Sequence, residues 1–381
     1  MSEASRIGAA ARRFVGGPVA ALPTPALVVD LPTVRANIAE MARRMDTVPA
    51  ALRPHAKIHK SPRFARMQLD AGAVGITTAT IWEASAMVED GLTDVLVANQ
   101  VVGAAKEGEL ARLAGVATIT VSVDDAANVE RIAAAAHRAG NEVGVLVELD
   151  VGLHRAGVRS VPAAVALAEL VERTPGVRLG GAFGYEGHCM LEPDREERIR
   201  KAKASNELLL SFVDALEAKG LEAGTVAAGG LGTWDITGAN PRITEIHAGS
   251  YIFSDAFHRD LVPGFDPALT VLATITSRSG AMAVVDAGRK SIGIDRTPPE
   301  LVGVAGRIRF EHGEHFIHEE HIALELEDDG LRVGDTVRLM PGYSPTTVNF
   351  YDCYFVAERD VVTDVWPILG RYGTESIGGG S

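Results

Sequence analysis

The sequence predicts a (β/α)₈ TIM-like barrel followed by an all-β C-terminal domain, and three observations carry that prediction. From Pro25 onward, short β-rich runs alternate with longer amphipathic stretches, the pattern of parallel strands joined by right-handed crossovers. After Pro263 the runs follow one another without long helices between them, punctuated by Gly, Pro and Asp, as in an all-β domain. Polar, reactive and glycine-rich residues also collect at the C-terminal ends of the early runs, where such barrels keep their reacting groups.

In order, residues 26–31, 52–57, 75–79, 94–99, 118–123, 144–150, 179–185 and 225–229 read as strands. Amphipathic segments 31–45, 81–90, 125–139, 163–172 and 196–219 lie between them. Pro32 and Thr33 open the first of these, because proline tolerates the first helical turn. An open doubly wound sheet is the competing architecture. No GxGxxG follows the first run, which argues against dinucleotide binding. Further runs at 269–278, 283–287, 304–310, 322–327, 335–340 and 354–358 form the β domain. The expected division is a barrel over 25–262, a β domain over 263–376 with residues 1–24 packing on it, and a flexible tail over 377–381.

Composition excludes several classes of function. The 381 residues are 46% hydrophobic and 23% charged, ordinary for a soluble globular protein of two domains. No run of eighteen uncharged apolar residues occurs, so no membrane span is expected. Residues 1–16 do not read as a secretory signal. Cys189 and Cys353 lie far apart, which fits a reducing cytoplasm rather than a disulfide framework. Net charge is −13 with the acids spread along the chain, so binding to nucleic acid is not expected.

The stretch Arg53-Pro54-His55-Ala56-Lys57-Ile58-His59-Lys60 ends the second run. If it stays extended, His55, Lys57 and His59 point to one side. Like charge nearby lowers the pKa of an amine, and a neutral lysine forms Schiff bases. After the last expected barrel strand comes Gly229-Gly230-Leu231-Gly232-Thr233, whose N–H groups and hydroxyl suit an anion. A strand-end lysine together with an anion loop points to a phosphorylated aldehyde cofactor, pyridoxal 5′-phosphate. Arg155, just past Asp150, is placed to fix the charge of the cofactor's phenolate oxygen. Tyr185 can stack near the ring, and His188 can handle a proton.

These residues resemble the fold-type III pyridoxal-phosphate enzymes grouped as D-threonine aldolase, D-3-hydroxyaspartate aldolase and eukaryotic-type D-serine dehydratase. The resemblance runs through Thr24 to Asp30, the Arg53–Lys60 block, Trp82-Glu83-Ala84, Asp150 to Gly157, Gly184 to His188, Gly229 to Thr233, Gly249-Ser250-Tyr251 with Asp255, Asp286-Ala287-Gly288, Thr347-Val348-Asn349 and Trp366-Pro367. It implies Lys57 as the Schiff-base lysine and Arg155 at the cofactor oxygen. It implies Gly232, Thr233, Gly249 and Ser250 around the phosphate, with Tyr251 beside them. It also implies a head-to-tail homodimer whose active sites are shared between protomers.

One departure stands out. Metal-dependent members carry a pattern like Pro-Gly-His-x-Asp-x-Thr-Val-Asn, with Cys as the alternative to Asp. Here the stretch reads Pro341-Gly342-Tyr343-Ser344-Pro345-Thr346-Thr347-Val348-Asn349. Proline has no donor atom, and neutral tyrosine is a poor ligand for these metals, so the usual divalent-metal site is expected to be absent. His315, His318 and His321 match a metal-free stretch of the family. The resemblance then implies Cα–Cβ cleavage, formation or aldehyde transfer on a D-configured or α-substituted β-hydroxy-amino acid. His188 or His59 is the base for the hydroxyl, Tyr343 orients it, and an aldehyde or keto acid is the co-substrate in a transfer. The alternative is racemisation, epimerisation or β-elimination with Lys57 and Tyr343 as opposed bases.

Overall fold

The computed structural model describes residues 8, 10–311, 313–327 and 330–372. The expected tail at 377–381 and part of the N-terminal segment lie outside the described residues. The chain forms two compact units. One is built from Met41–Lys57 and Pro62–Gly249, the other from the residues up to Glu40, Ile58–Ser61 and Ser250–Leu369. Among the described residues, no helix is long and apolar enough to cross a membrane.

In chain order the first strands are β1 (Ala26–Asp30), β2 (Ala51–Leu52), β3 (Ile76–Thr78), β4 (Asp94–Val97), β5 (Thr118–Val123), β6 (Val143–Glu148), β7 (Val177–Phe183), β8 (Thr225–Ala228) and β9 (Glu245–Ile246). Strands β2 to β9 form one parallel sheet in the order 2-9-8-7-6-5-4-3. A parallel bridge between His55 and Thr77 joins its two ends, and the Thr77 N–H donates to the Pro54 carbonyl at 2.9 Å. The sheet is therefore a closed eight-stranded barrel. Helices Pro62–Asp70, Ile81–Glu89, Ala104–Leu113, Ala126–Ala139, Val161–Arg173 and Arg195–Glu217 alternate with its strands. Thr80, Asp125 and Asp194 cap three of them, each accepting a backbone N–H, which satisfies a donor the helix leaves open.

Two expectations are corrected here. The run at 26–31 is not a barrel strand. β1 belongs to the sheet of the second unit, and the eighth barrel strand is the two-residue β9. Every residue of β1 except Asp30 is buried. A strand covered on both faces reads alike in a barrel and in a central sheet position. The stretch after β2 also does not stay extended. Ala56–Ile58 is a 3₁₀ turn and Lys60 has φ 47°. Side chains in such a turn fan out by about 120°, so His55, Lys57 and His59 do not share one face. Pro54 supplies no N–H to prolong the ladder.

The barrel interior is layered. Leu96, Leu146, Phe183 and Ala227 form its apolar middle, with Ala98 and Tyr185 packed on it. Below them, Arg53 donates from Nε and Nη2 to Glu245 at 2.8 and 2.9 Å, and from Nη1 to Asp94 at 2.7 Å. Gly75 leaves room for this guanidinium; a Cβ there would sit 1.9 Å from Nη1.

The second unit holds β1 and the later strands. These are β10 (Leu269–Ser279), β11 (Met282–Val285), β12 (Glu300–Val302), β13 (Gly306–Ile308), β14 (Phe310–Glu311), β15 (Glu314–His315), β16 (Ile322–Leu326), β17 (Thr336–Met340), β18 (Cys353–Glu358) and β19 (Val361–Pro367). β10 pairs antiparallel with β1, β11 and β17. β1 also pairs parallel with β18, which turns back into β19. Val19 and Leu22 pack on this sheet against Val28, Phe355, Val362 and Val365.

Candidate active site

Lys57 lies in the turn that follows β2, at the C-terminal end of the barrel. Gly249, just past β9, approaches the same turn; a Cβ there would sit 2.4 Å from the His55 carbonyl oxygen. Only glycine permits that approach. The Lys57 N–H faces His55 Nδ1 at 3.4 Å. Burial, and then the Lys57 ammonium, hold the His55 imidazole well below its ordinary pKa, so it stays neutral.

Arg155 follows β6 and is exposed. Its guanidinium lies over the Tyr185 ring, 5.3 Å from the centroid, and its Nη2 is 3.9 Å from Glu148 Oε1. Asp150 does not pair with Arg155. It takes His154 Nδ1 at 2.8 Å, two backbone N–H groups and the Arg159 guanidinium. Burial would raise the Asp150 carboxyl, but these donors bring it to about 2. Glu148 is buried and its pKa is raised by that burial, while Gln100 Nε2 donates to it at 2.6 Å. Sequence reasoning passed over Gln100 and Glu148. Strand parity gives a signal for the second, because Glu148 shares the inward face of Leu146.

The glycine loop after β8 is organised by Glu186. This buried carboxylate accepts the Gly229 N–H at 3.0 Å, the Thr233 hydroxyl at 2.8 Å and the Thr237 hydroxyl at 2.6 Å. The Gly230 N–H donates to Thr233 Oγ1 at 3.2 Å. The Thr233 proton expected for a phosphate is thus committed inside the loop, and so are the first two glycine N–H groups. The Gly232 N–H faces Met190 Sδ at 3.1 Å, and a thioether is a weak acceptor.

His188 follows β7 and is half-buried. Its Nδ1 is buried and has no hydrogen-bond partner among the described residues, and its Nε2 lies 3.6 Å from Cys189 Sγ. Burial lowers its pKa, with Glu186 opposing. Burial also pushes the Cys189 thiol up to about 11, which keeps it protonated. Gly152 makes room for this ring; a Cβ there would be 3.1 Å from His188 Cε1.

The remaining expected residues lie in the second unit. His59 is wholly buried; its Nδ1 accepts the Ser61 N–H at 3.1 Å and its carbonyl accepts the Tyr354 hydroxyl at 2.5 Å. Ser250 and Tyr251 start the 3₁₀ turn Ser250–Ile252, and the buried Tyr251 ring packs 5.8 Å from Phe265. Tyr343 precedes the helix Ser344–Asn349. Its ring stacks on His258 at 5.9 Å and meets Phe257 edge-on at 6.4 Å. Asp255 accepts from His258 Nδ1 at 2.6 Å and from the Ser344 N–H at 2.7 Å. The Arg296 guanidinium lies 5.8 Å from both the Tyr343 and the Phe257 ring. Burial raises the Tyr343 hydroxyl pKa and Arg296 opposes it.

A divalent metal fits the Tyr343 surroundings poorly. Pro345 is built into the first turn of the helix, and a guanidinium already occupies the electrostatic position beside the phenol. Among the described residues, no group of three or more His, Cys, Asp or Glu could hold a metal ion. An anionic aldehyde cofactor fits the barrel end well. An amine, an exposed guanidinium and a weakly satisfied N–H all belong to the C-terminal ends of β2, β6 and β8.

Residues 29–256 match the family model described as alanine racemase, N-terminal domain, and residues 268–357 match a serine dehydratase domain. The chain is 36% identical over 363 residues to D-threonine aldolase of an Arthrobacter species, covering 93% of this chain and 94% of that one. It is 33% identical to 3-hydroxy-D-aspartate aldolase of Paracoccus denitrificans, covering 91% and 92%. The crystal structure of D-threonine aldolase from Filomicrobium marinum matches with a TM-score of 0.88 at 34% identity, over 93% of this chain and 97% of that one.

Proposed function

The chain belongs to the alanine-racemase-like family that contains D-threonine aldolase and 3-hydroxy-D-aspartate aldolase, and on that premise we propose that it is a pyridoxal-phosphate-dependent lyase that cleaves or forms the Cα–Cβ bond of a D-configured or α-substituted β-hydroxy-amino acid. The observation that carries this reading is the set of reactive groups at one end of the barrel: Lys57 after β2, Arg155 after β6 and His188 after β7. The cofactor, when bound, supplies the electron sink for the carbanion left as the bond breaks.

Each residue has a task in this proposal. Lys57 holds the cofactor through its amine. Arg155, steadied by Glu148 and the Tyr185 ring, fixes the charge of the phenolate oxygen. The Gly232 N–H would help hold the phosphate, while Thr233 and Glu186 keep the loop in shape. Gly249 brings β9 against the Lys57 turn, and Ser250 and Tyr251 continue that segment. His188 takes the hydroxyl proton, because burial lowers its pKa and it follows β7 at the same end of the barrel as Lys57. His59 is set aside as the base, since its Nδ1 lone pair already serves Ser61.

The reaction proceeds without the family's divalent metal. A Lewis acid is worth several kcal/mol to such chemistry, and Tyr343 takes over the orienting part of that task. The reading includes a homodimer with shared active sites, an amino-acid substrate and, for transfer, an aldehyde or keto-acid acceptor. The test is direct. Enzyme purified with EDTA and loaded with pyridoxal phosphate is assayed against a panel of β-hydroxy-amino acids. Aldehyde and a glycine-type product are expected without added Mg²⁺, Mn²⁺ or Zn²⁺. Release of neither product from any member sinks the aldolase reading, and activity only after metal addition sinks its metal-free part.

A second reading is favoured by the Tyr343 cluster. A phenol held rigidly between rings and tuned by Arg296 is suited to move protons, which makes Lys57 and Tyr343 the two bases of a racemisation or β-elimination. Solvent deuterium exchange at Cα is then expected, and Tyr343→Phe abolishes it with cofactor still bound. Equal exchange in that variant removes Tyr343 from the chemistry.

A further inference from the structure

Neither reading gives Arg296 a contact with the substrate, and its surroundings are unusual for an exposed arginine. Other arginines of the same unit are spent on carboxylates: Arg259 on Glu300 at 2.8 Å, Arg35 on Glu358 at 3.1 Å, and Arg307, Arg309 and Arg338 on Glu325, Glu311 and Asp360. The acids that act on Tyr343 beside Arg296, Asp295 and Asp255, are already engaged. Asp295 accepts the Thr346 hydroxyl at 2.5 Å. Asp255 is divided between His258 Nδ1 at 2.6 Å and the Ser344 N–H at 2.7 Å. What Arg296 has instead is two aromatic faces, Tyr343 and Phe257, each 5.8 Å from its central carbon.

Rings hold a guanidinium in place without using up its hydrogen-bond donors. Arg296 also hydrogen-bonds the Tyr343 hydroxyl, and its remaining N–H donors, planar and charged, match the two oxygens of a carboxylate. The Tyr343 ring is itself fixed, stacked on His258 with an interplanar angle of 21°. Less side-chain freedom therefore remains to be lost when an anion arrives.

We infer that Arg296 is a carboxylate-binding residue that receives a carboxylate of the substrate beside Tyr343. This rests on the proposed assignment of Tyr343 to the substrate. Two carboxylates share that chemistry: the α-carboxylate common to all amino acids, and a second one carried on the β-carbon of an acidic substrate.

The test uses the holoenzyme, with D-malate and D-lactate as non-reacting probes for two and one carboxylates. Binding is followed by titration calorimetry in the natural protein, Arg296→Gln and Arg296→Lys, with circular dichroism as the check on folding. Charge-assisted hydrogen bonds of this kind are worth roughly tenfold to a hundredfold in affinity. A loss of that size in Arg296→Gln for both probes assigns the α-carboxylate. A loss confined to D-malate assigns the second carboxylate and marks the natural substrates as acidic. Arg296→Lys keeps the charge but not the fork, and partial recovery is expected. Unchanged affinity for both probes in Arg296→Gln overturns the inference, as does a natural protein that binds neither. Should the natural protein turn over no β-hydroxy-amino acid while Arg296→Gln still weakens probe binding, the aldolase reading fails and the anion site stands.

Discussion

The hydroxyl of Thr233 donates to Glu186 Oε1 at 2.8 Å, deep inside the loop that follows β8. One carboxylate thereby ties together a glycine N–H and two threonine hydroxyls.

Glu186→Gln should loosen this loop. An amide keeps one acceptor oxygen where the carboxylate has two, so an N–H₂ group must face either the Gly229 N–H or the two threonine hydroxyls, and a broken buried hydrogen bond to a charged group costs about 1.5–3 kcal/mol. A lower melting temperature and at least tenfold weaker pyridoxal-phosphate binding are expected in a denaturation and cofactor-titration pair. Unchanged cofactor affinity would show that the loop does not hold the phosphate.

Lys57→Ala should leave cofactor that dialyses away and that borohydride cannot fix to the protein. Peptide mapping of the reduced natural enzyme should place the label on Lys57. Activity should fall by ~10³-fold or more, the scale of losing a group that handles protons and holds the reacting centre. A label found on Lys60 instead would refute the assignment.

His188 should govern the acid limb of the rate profile. Burial lowers its pKa from the ordinary 6.5, so the ring is neutral and competent as a base at neutral pH. Turnover should hold steady there and fall only as the pH drops through a midpoint below 6.5. His188→Asn should reduce kcat by ~10²–10⁴-fold with little change in KM, and should remove this limb. Persistence of the limb in the variant would assign it to another group.

The Arg53–Glu245 pair should dominate acid stability of the barrel. Burial alone would raise the Glu245 carboxyl, but His247 and Arg53 hold it at about 2 against an ordinary 4.5. Its stabilising contribution is therefore complete above pH 4.5 and is lost as the pH falls from there through about 2. Arg53→Met strands a buried carboxylate and should cost ~3–5 kcal/mol at neutral pH. That variant should also lose the decline on acidification, because protonation then relieves the stranded charge. Urea unfolding at pH 7, 4 and 3 reads both effects.

Much of this was legible in the sequence, for identifiable reasons. Short β-rich runs separated by amphipathic stretches pointed to the parallel barrel, and the rule that barrels work at strand C-termini drew attention to Lys57, Arg155 and His188. Three features were hidden. β9 is two residues long, too short for any periodicity to register. β1 is nearly all buried and cannot announce which sheet it joins. The turn at Ala56–Ile58 is set by ladder geometry around Pro54, so a local pattern that looked extended ended instead in a 3₁₀ turn. Side-chain commitments were also out of reach. That Glu186 consumes the Thr233 proton, or that Arg296 lies over two rings, depends on residues far apart in the chain.

The position of β1 has a consequence for how the chain comes off the ribosome. Nearly all of the barrel unit is one continuous stretch, from Met41 to Gly249 apart from Ile58–Ser61, and neighbouring strands in its sheet are mostly consecutive in sequence. Its structure can consolidate while synthesis continues. β1 emerges first but waits between partners that are made late, β10 from Leu269 and β18 from Cys353. At roughly 5–20 residues per second, its two edges, with their backbone N–H and C=O groups, wait for these partners for tens of seconds. Within that interval the strand Ala26–Asp30 lacks both of its sheet partners, and the distance between Val28 and Phe355 along the chain sets how long that lasts.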